Sequence, residues 1–219
     1  MKFKAAIFDM DGLLLDSERV YNAAWADTAK EQNIPMTTEM IHATIGMNSK
    51  VSEAYLKDKL GQDFDYHTFH DAARLLTYER LDAEGMPLKP HAQEILEELK
   101  ADGWRLALAT STREFVALHC LDSRDLTKYF DELCFGSQVE RGKPFPDIFL
   151  MAAEKLGVEP EACAVLEDSP NGVLAGLAAG MESIWIPDQI TEEDRPDTAE
   201  AATYVFPTLK EASAHLTGK

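Results

Sequence analysis

The chain has 219 residues, 45% of them hydrophobic, and its 39 acidic residues outnumber 21 basic ones to give a formal charge of -18. This length can bury one sizeable core and support a small accessory domain. Nucleic acid and anionic membranes both attract cationic surfaces. A chain this acidic is therefore predicted to bind neither. A phosphorylated ligand would need a local cation to hold it.

The three cysteines, Cys120, Cys134 and Cys163, form no CxxC pair and are odd in number. This pattern favours neither a disulfide framework nor a zinc site, and it is typical of core thiols in a reducing compartment. No apolar stretch is long enough for a signal peptide or a membrane span. We expect a cytoplasmic protein that acts as a monomer.

The first predicted element is a buried strand over residues 3–8, and a block with helical periodicity follows from about residue 18 to residue 84. The chain enters and leaves this block through polar or Gly/Pro-bearing segments, as linkers usually do. We therefore predict a helical cap domain over residues 17–85. It is inserted into a core formed by residues 1–16 and 86–219.

The rest of the chain alternates short apolar runs with amphipathic stretches. Strands are predicted over residues 104–109, 132–135, 162–166, 183–186 and 204–206, and helices over residues 92–102, 147–156 and 172–179. This alternation predicts an α/β fold, a Rossmann-like doubly wound parallel sheet with helices on both faces.

Polar residues follow several of these strands. In open parallel sheets, ligands bind beyond the carboxyl ends of the strands, so these clusters are expected to converge at one edge. The clusters are Asp9-Met10-Asp11-Gly12, Thr110-Ser111-Thr112 and Glu167-Asp168-Ser169-Pro170, joined by Lys143 on a loop before a helix.

The residue types fit phosphoryl transfer. Carboxylates from Asp9, Glu167 and Asp168 make the all-oxygen site that Mg²⁺ prefers. Thr110 offers a hydroxyl to a phosphate oxygen, with the amides of the same strand end, and Lys143 offers a point charge. This set predicts a magnesium-dependent enzyme that acts on a small phosphorylated metabolite.

Two aspartates are expected to do the chemistry. Asp9 can attack phosphorus to form an aspartyl-phosphate, which splits a difficult hydrolysis into two steps. Asp11 is expected on the same side of an extended strand, where it can serve as the general acid and base. A lone DxD occurs by chance in a chain of this size, so the prediction depends on the whole set of strand-end residues.

Four parts of the sequence resemble the four motifs of the haloacid dehalogenase superfamily: residues 8–12, Thr110, residues 142–147 and residues 167–169. The stretch EDSPNGVLAGLAAG over residues 167–180 is similar to its sugar-phosphatase and β-phosphoglucomutase-like branch. The resemblance covers nearly the whole chain, including a helical cap after the first motif. It implies that Asp9 is nucleophile and metal ligand and that Asp11 is acid/base and binds metal through its carbonyl. Thr110 and Lys143 would bind phosphate, and Glu167 and Asp168 would complete the Mg²⁺ site.

Two departures from the mutases of this branch favour hydrolysis. The mutases carry a histidine at the cap hinge, where this chain has Tyr21. They also carry a cap arginine that has no clear match in this chain, which offers only Lys50 nearby. A sugar-phosphate mutase remains the alternative enzyme. A non-catalytic phosphometabolite sensor is the alternative from another class, but the sequence retains both the nucleophile and the acid.

Substrate contacts outside the motifs are less marked in the sequence. Ser111 is predicted to bind substrate beside Thr110, and four residues of the helical block are predicted to contact it. Ser17 and Glu18 fit a helix cap equally well. His67 and His70 have no third metal ligand, so we interpret these two histidines as packing or solvated side chains. The four predicted contacts are Ser17, Glu18, Asn48 and Lys50.

Overall fold

The computed structural model describes residues 5–45, 47 and 49–218. In the described residues the core is a six-stranded parallel sheet with the order β3-β2-β1-β4-β5-β6. The predicted α/β fold with a parallel sheet is confirmed. The strands are β1 (Ala5–Phe8), β2 (Arg105–Thr110), β3 (Glu132–Phe135), β4 (Cys163–Glu167), β5 (Glu182–Trp185) and β6 (Tyr204–Val205).

Ten α-helices lie in the described residues. Four of them follow β1 without an intervening strand: α1 (Ser17–Glu31), α2 (Thr38–Ala43), α3 (Ser49–Leu60) and α4 (Tyr66–Glu84). The other six alternate with the remaining strands: α5 (Ala92–Ala101), α6 (Glu114–Asp122), α7 (Asp147–Leu156), α8 (Pro170–Ala178), α9 (Pro196–Ala201) and α10 (Leu209–Thr217).

β1 lies at the centre of the sheet and is fully buried. Phe8 pairs with Leu108 of β2 on one side and with Leu166 of β4 on the other. Helix α7 packs on this sheet, where Phe149 joins Ile7 in the main apolar cluster. Helices cover both faces of such a sheet, so its strands are continuous apolar runs rather than alternating ones.

Several predicted boundaries are wrong by one or two residues, and three of them lie beside the strand-end clusters. β2 and β4 each run one residue further than predicted, because Thr110 pairs with Phe135 and Glu167 pairs with Trp185. The apolar run ends before these residues, but the backbone ladder continues through them. Helix α8 begins at Pro170, two residues before its predicted start.

Backbone contacts divide the chain into two compact units: Met1–Asp16 with Met86–Lys219, and Ser17–Gly85. In the first unit, the segments at which the chain departs and returns lie side by side. The amide of Asp16 donates to Pro87 O at 2.8 Å, and that of Lys89 donates to Leu14 O at 2.9 Å. The Lys89 side chain also pairs with Asp188 at 2.6 Å, which ties the return segment to the loop after β5.

The described part of the second unit is helical, and α1 packs against α4. The Trp25 ring meets Phe69 edge-on at a centroid distance of 5.3 Å and lies 6.4 Å from Tyr66. Trp25 therefore contributes to packing within this unit, as its helical spacing predicts. Among the described residues of the whole chain, no helix combines the length and apolar character needed to cross a membrane.

Candidate active site

The order of the strands creates a crevice at the carboxyl ends of β1 and β4. The chain runs from β1 to β2 and β3 on one side and to β4, β5 and β6 on the other. Connections after two such neighbouring strands diverge, and ligands of open α/β sheets bind where they separate. Asp9 follows β1 there, and its amide donates to Leu166 O of β4 at 3.0 Å.

Lys143 connects the residues that end these strands. Its Nζ lies 2.5 Å from Oδ1 of Asp9, 2.6 Å from Oε1 of Glu167 and 3.0 Å from the carbonyl oxygen of Ala109. The side chains of Lys143 and Asp9 are 7% and 10% exposed, and that of Glu167 is fully buried. One ammonium thus serves two buried carboxylates, and the ring of Phe149 lies 4.9 Å from it.

The electrostatics of this group reflect an excess of negative charge. Burial raises the pKa of Asp9 to about 7 from an ordinary 3.8; Lys143 opposes the rise, whereas Glu167 and Asp11 add to it. Burial by itself would lower the pKa of Lys143, but the ion pairs with Asp9 and Glu167 outweigh burial and raise it. Lys143 is therefore cationic at neutral pH. Any further positive charge nearby would stabilise the ionised form of Asp9.

The second oxygen of Glu167 is held by the start of α8. Oε2 accepts hydrogen bonds from the amide of Ser169 at 3.0 Å and from its hydroxyl at 2.9 Å. The same hydroxyl oxygen accepts from the amide of Gly172 at 3.1 Å and so caps the helix. A Cβ on Gly172 would lie 1.8 Å from Cδ of Glu167, so only glycine leaves room for this carboxylate.

Asp168 is positioned by its main chain and by a glycine of the β1 loop. The indole Nε1 of Trp185 donates to the carbonyl oxygen of Asp168 at 2.7 Å. Gly12 has φ +77°, and a Cβ there would lie 2.2 Å from Oδ2 of Asp168. Glycine therefore permits both the left-handed turn after β1 and the close approach of the Asp168 carboxylate.

The three carboxylates form a group suited to a metal ion. One oxygen each from Asp9, Glu167 and Asp168 can be chosen so that all lie within 4.8 Å of one another. The donor set is entirely oxygen, it is largely buried, and Lys143 alone does not neutralise it. These features fit a hard divalent cation such as Mg²⁺.

Asp11 is not on an extended strand, contrary to our prediction, because β1 ends at Phe8 and the chain turns. Its Oδ2 accepts a hydrogen bond from the hydroxyl of Thr112 at 2.7 Å. The amide of Thr112 donates to Oγ1 of Thr110 at 3.0 Å, which leaves the Thr110 hydroxyl proton for another acceptor. Thr110 itself is the last residue of β2 and is buried.

The other predicted substrate contacts lie on the turn after β2 and on the helical unit. Ser111 is exposed in the turn after β2, and Lys50 is exposed in the first turn of α3. Ser17 is buried at the start of α1, with Glu18 in the same turn. Asn48 lies outside the described residues.

Sequence reasoning missed several supporting residues. Ser169 and Gly172 stood within the EDSPNG stretch, where a helix start was visible, but their contacts with Glu167 were not. Thr112 stood in the predicted turn without a role. Trp185 gave no signal, because an indole that donates to a carbonyl oxygen 17 residues earlier has no sequence pattern.

Comparison with known proteins identifies the family of this chain. The model of the haloacid dehalogenase-like hydrolase family matches residues 3–180. The chain belongs to this family, and the family that its motifs resemble is confirmed. It is thus an enzyme of a hydrolase family.

Three similar proteins narrow the branch. The chain is 37% identical over 182 residues to the phosphorylated carbohydrates phosphatase of Thermotoga maritima, which covers 83% of this chain and 84% of that one. It is 33% identical over 206 residues to hexitol phosphatase B of Escherichia coli, covering 87% and 86%. A solved structure of a candidate β-phosphoglucomutase from Thermotoga maritima has 32% identity and a TM-score of 0.84, covering 99% of both chains.

Proposed function

We propose that this protein is a magnesium-dependent phosphatase of small phosphorylated metabolites, sugar phosphates first, that works through an aspartyl-phosphate on Asp9. The observation that carries the proposal is the single ammonium of Lys143 between the buried carboxylates of Asp9 and Glu167. A group with surplus negative charge and one fixed cation suits a metal ion and a phosphoryl group together. The names of the two phosphatase relatives support the substrate class.

The metal ion would be held by the carboxylates of Asp9, Glu167 and Asp168 and by the carbonyl of Asp11, and it would supply positive charge to the phosphoryl oxygens. Ser169 and Trp185 keep two of these ligands in place through the hydrogen bonds described above. These positioning contacts matter, because loss of a group that orients a metal ligand typically lowers metal affinity about 10- to 100-fold.

The chain's own residues then perform two displacements. An oxygen of Asp9 attacks phosphorus while Asp11 gives a proton to the departing alcohol oxygen. Water next attacks the aspartyl-phosphate, Asp11 takes its proton, and the Asp9 oxygen is released. Lys143, Thr110 and the Ser111 amide offset the negative charge on the transferred group.

We further propose that the helical unit Ser17–Gly85 is the cap of the family resemblance and selects the substrate. Its predicted contacts, Ser17, Glu18, Asn48 and Lys50, are part of that proposal. We also propose that the enzyme acts in the cytoplasm as a monomer. The three buried free cysteines support the cytoplasmic location, because thiols stay reduced there.

The test is release of inorganic phosphate from a panel of phosphorylated sugars and sugar alcohols with Mg²⁺ and with a chelator. Asp9→Asn is expected to abolish turnover while circular dichroism and thermal unfolding show a folded protein. Asp131→Asn is the matched control, because this carboxylate accepts a hydrogen bond from Leu106 N near the opposite end of the strands. Normal rates in Asp9→Asn, or metal-independent hydrolysis by the pure protein, would overturn the mechanism.

The similarity to a candidate β-phosphoglucomutase makes a phosphosugar mutase the second possibility. Tyr21 replaces the histidine that the mutases of this branch carry at the cap hinge, which favours water as the final acceptor. Incubation with a sugar 1-phosphate and its bisphosphate separates the two functions. A phosphatase releases phosphate, whereas a mutase yields the isomeric sugar phosphate.

A further inference from the structure

A threonine that none of the four family motifs contains contacts the proposed acid/base. Thr112 and Asp11 are 101 residues apart, yet the Thr112 hydroxyl lies 2.7 Å from Oδ2 of Asp11. The Thr112 hydroxyl is the donor and Oδ2 is the acceptor, a role that Oδ2 keeps when a proton sits on Oδ1. The contact is partly buried, which protects it from competition by water.

The turn that carries Thr112 is fixed from two sides. The Thr112 amide donates to Oγ1 of Thr110 at 3.0 Å, which closes the turn onto the end of β2. On the other side, Gly136, which follows β3, packs against the turn. A Cβ on Gly136 would lie 2.8 Å from the carbonyl oxygen of Ser111. The hydroxyl that reaches Asp11 therefore projects from a well-supported backbone rather than from a free loop.

The two oxygens of Asp11 are in different states. Oδ2 has the Thr112 hydroxyl as its donor. Oδ1 is buried and has no hydrogen-bond partner among the described residues. Since a buried carboxylate oxygen without a partner is costly, the second oxygen is the one available to a ligand or to a transferred proton.

We propose that Thr112 is a positioning residue for the reaction: its hydrogen bond to Oδ2 fixes the rotation of the Asp11 carboxylate, so that Oδ1 exchanges the proton with the substrate. The inference rests on the proposed function, in which Asp11 is the acid and base. As the bond from phosphorus to the leaving oxygen breaks and the bond to Asp9 forms, the proton moves from Oδ1 to the leaving oxygen. In the second step, the water oxygen bonds to phosphorus, the bond between Asp9 and phosphorus breaks, and the water proton moves to Oδ1.

The experiment compares two substrates of similar shape, phenyl phosphate and p-nitrophenyl phosphate, with Mg²⁺ present. Phenolate is a basic leaving group and needs a proton as it departs. The less basic p-nitrophenolate depends much less on protonation. The quantity measured is kcat/KM, which covers phosphoryl transfer to Asp9. Thr112→Val is expected to lower it about 10-fold or more for phenyl phosphate and less than about 3-fold for p-nitrophenyl phosphate.

Two further variants exclude a general structural effect. Thr112→Ser keeps the hydroxyl and is expected to restore kcat/KM for phenyl phosphate to within about 3-fold of the unaltered enzyme. Thr127→Val removes another threonine–aspartate hydrogen bond, to Asp122, which precedes β3 at the opposite end of the strands. Thr127→Val is expected to leave kcat/KM unchanged for both substrates.

Asp11→Asn separates failure of this inference from failure of the proposed function. If Asp11→Asn shows the leaving-group difference and Thr112→Val lowers both substrates equally or neither, the role of Thr112 is overturned and Asp11 keeps its own. If Asp11→Asn shows no difference, Asp11 is not the acid, and the inference is overturned together with that part of the mechanism. Selective loss in both, with rescue by serine, supports the positioning role.

Discussion

Nζ of Lys143 lies 2.6 Å from Oε1 of Glu167, although the two residues come from a loop and from a strand 24 positions later. The same ammonium contacts Asp9, so one lysine is shared by two buried carboxylates. Because breaking such a group leaves uncompensated buried charge, the lysine supports folding as well as the proposed chemistry.

Removal of this ammonium is the first prediction. We expect Lys143→Met to lower kcat about 10²-fold or more, since a fixed charge at the transferred group is lost. In metal-free protein it should also lower the free energy of unfolding by about 3 kcal/mol, measured by urea denaturation. Lys155→Met, which removes an exposed lysine of α7, is the matched control. Equal effects of the two substitutions would contradict the role given to Lys143.

The raised pKa of Asp9 predicts how Mg²⁺ binding depends on pH. Between pH 3.8 and about 7, the ordinary and the raised pKa, the folded, metal-free protein holds a proton on Asp9 that an unfolded chain would have lost. A cation must displace this proton, so its affinity falls as the pH falls through 7. The same proton stabilises the metal-free fold as the pH falls from about 8 toward 6, because the folded state binds it more tightly.

Thermal unfolding with and without Mg²⁺ measures this linkage. We expect a larger rise of the midpoint on adding Mg²⁺ at pH 8 than at pH 6. Asp9→Asn should remove the part of the pH dependence that Asp9 causes in the metal-free protein. A rise that grows toward low pH would contradict the assignment.

The close approach of Gly172 to Glu167 predicts a selective loss of metal affinity. Gly172→Ala places a Cβ where the carboxyl group lies, so Glu167 must move away from Lys143 and Ser169. We expect weaker Mg²⁺ binding by calorimetry and lower activity at limiting metal. Gly176→Ala is the control on the same helix, because its Cβ would lie 2.3 Å from Ser183 Oγ. This substitution should lower the stability of the protein without lowering its affinity for Mg²⁺.

His70 predicts a separate pH effect in the helical unit. It stacks on Tyr66 at 5.5 Å, and burial, aided by Arg74 and His67 and opposed by Asp71, lowers its pKa from 6.5. The unfolded chain therefore binds the proton more readily, and the stability that neutral His70 contributes is lost as the pH falls below 6.5.

Thermal unfolding between about pH 7.5 and 5.5 checks this effect. His70→Phe keeps an aromatic ring that cannot titrate, and it should lose less stability over this range than the unaltered protein. His67→Phe removes only one of the smaller causes of the lowered pKa, so it should reduce the pH dependence less than His70→Phe does. An NMR titration midpoint of His70 at or above 6.5 would contradict the prediction.

The sequence predicts the sheet well, because each strand is a short apolar run bounded by glycine or by polar residues. It also identifies Asp9, Lys143 and Glu167, whose contacts follow from parallel strands ending at one edge. It fails at Asp11, where the expected strand continuation ignores the turn that Gly12 permits. It also fails for Trp185 and Thr112, because their contacts depend on side-chain direction across the sheet rather than on spacing along the chain.

The position of β1 between β2 and β4 has a consequence for how the protein is made. Glu167 and Asp168 lie in the last third of the chain, whereas Asp9 is near its beginning. During synthesis β1 can pair with β2 long before β4 leaves the ribosome, so Asp9 waits beside an open sheet edge. In the proposed metal site, loading of the cation would therefore follow assembly of the nascent sheet, because a chain stopped before β4 lacks two of the three carboxylates.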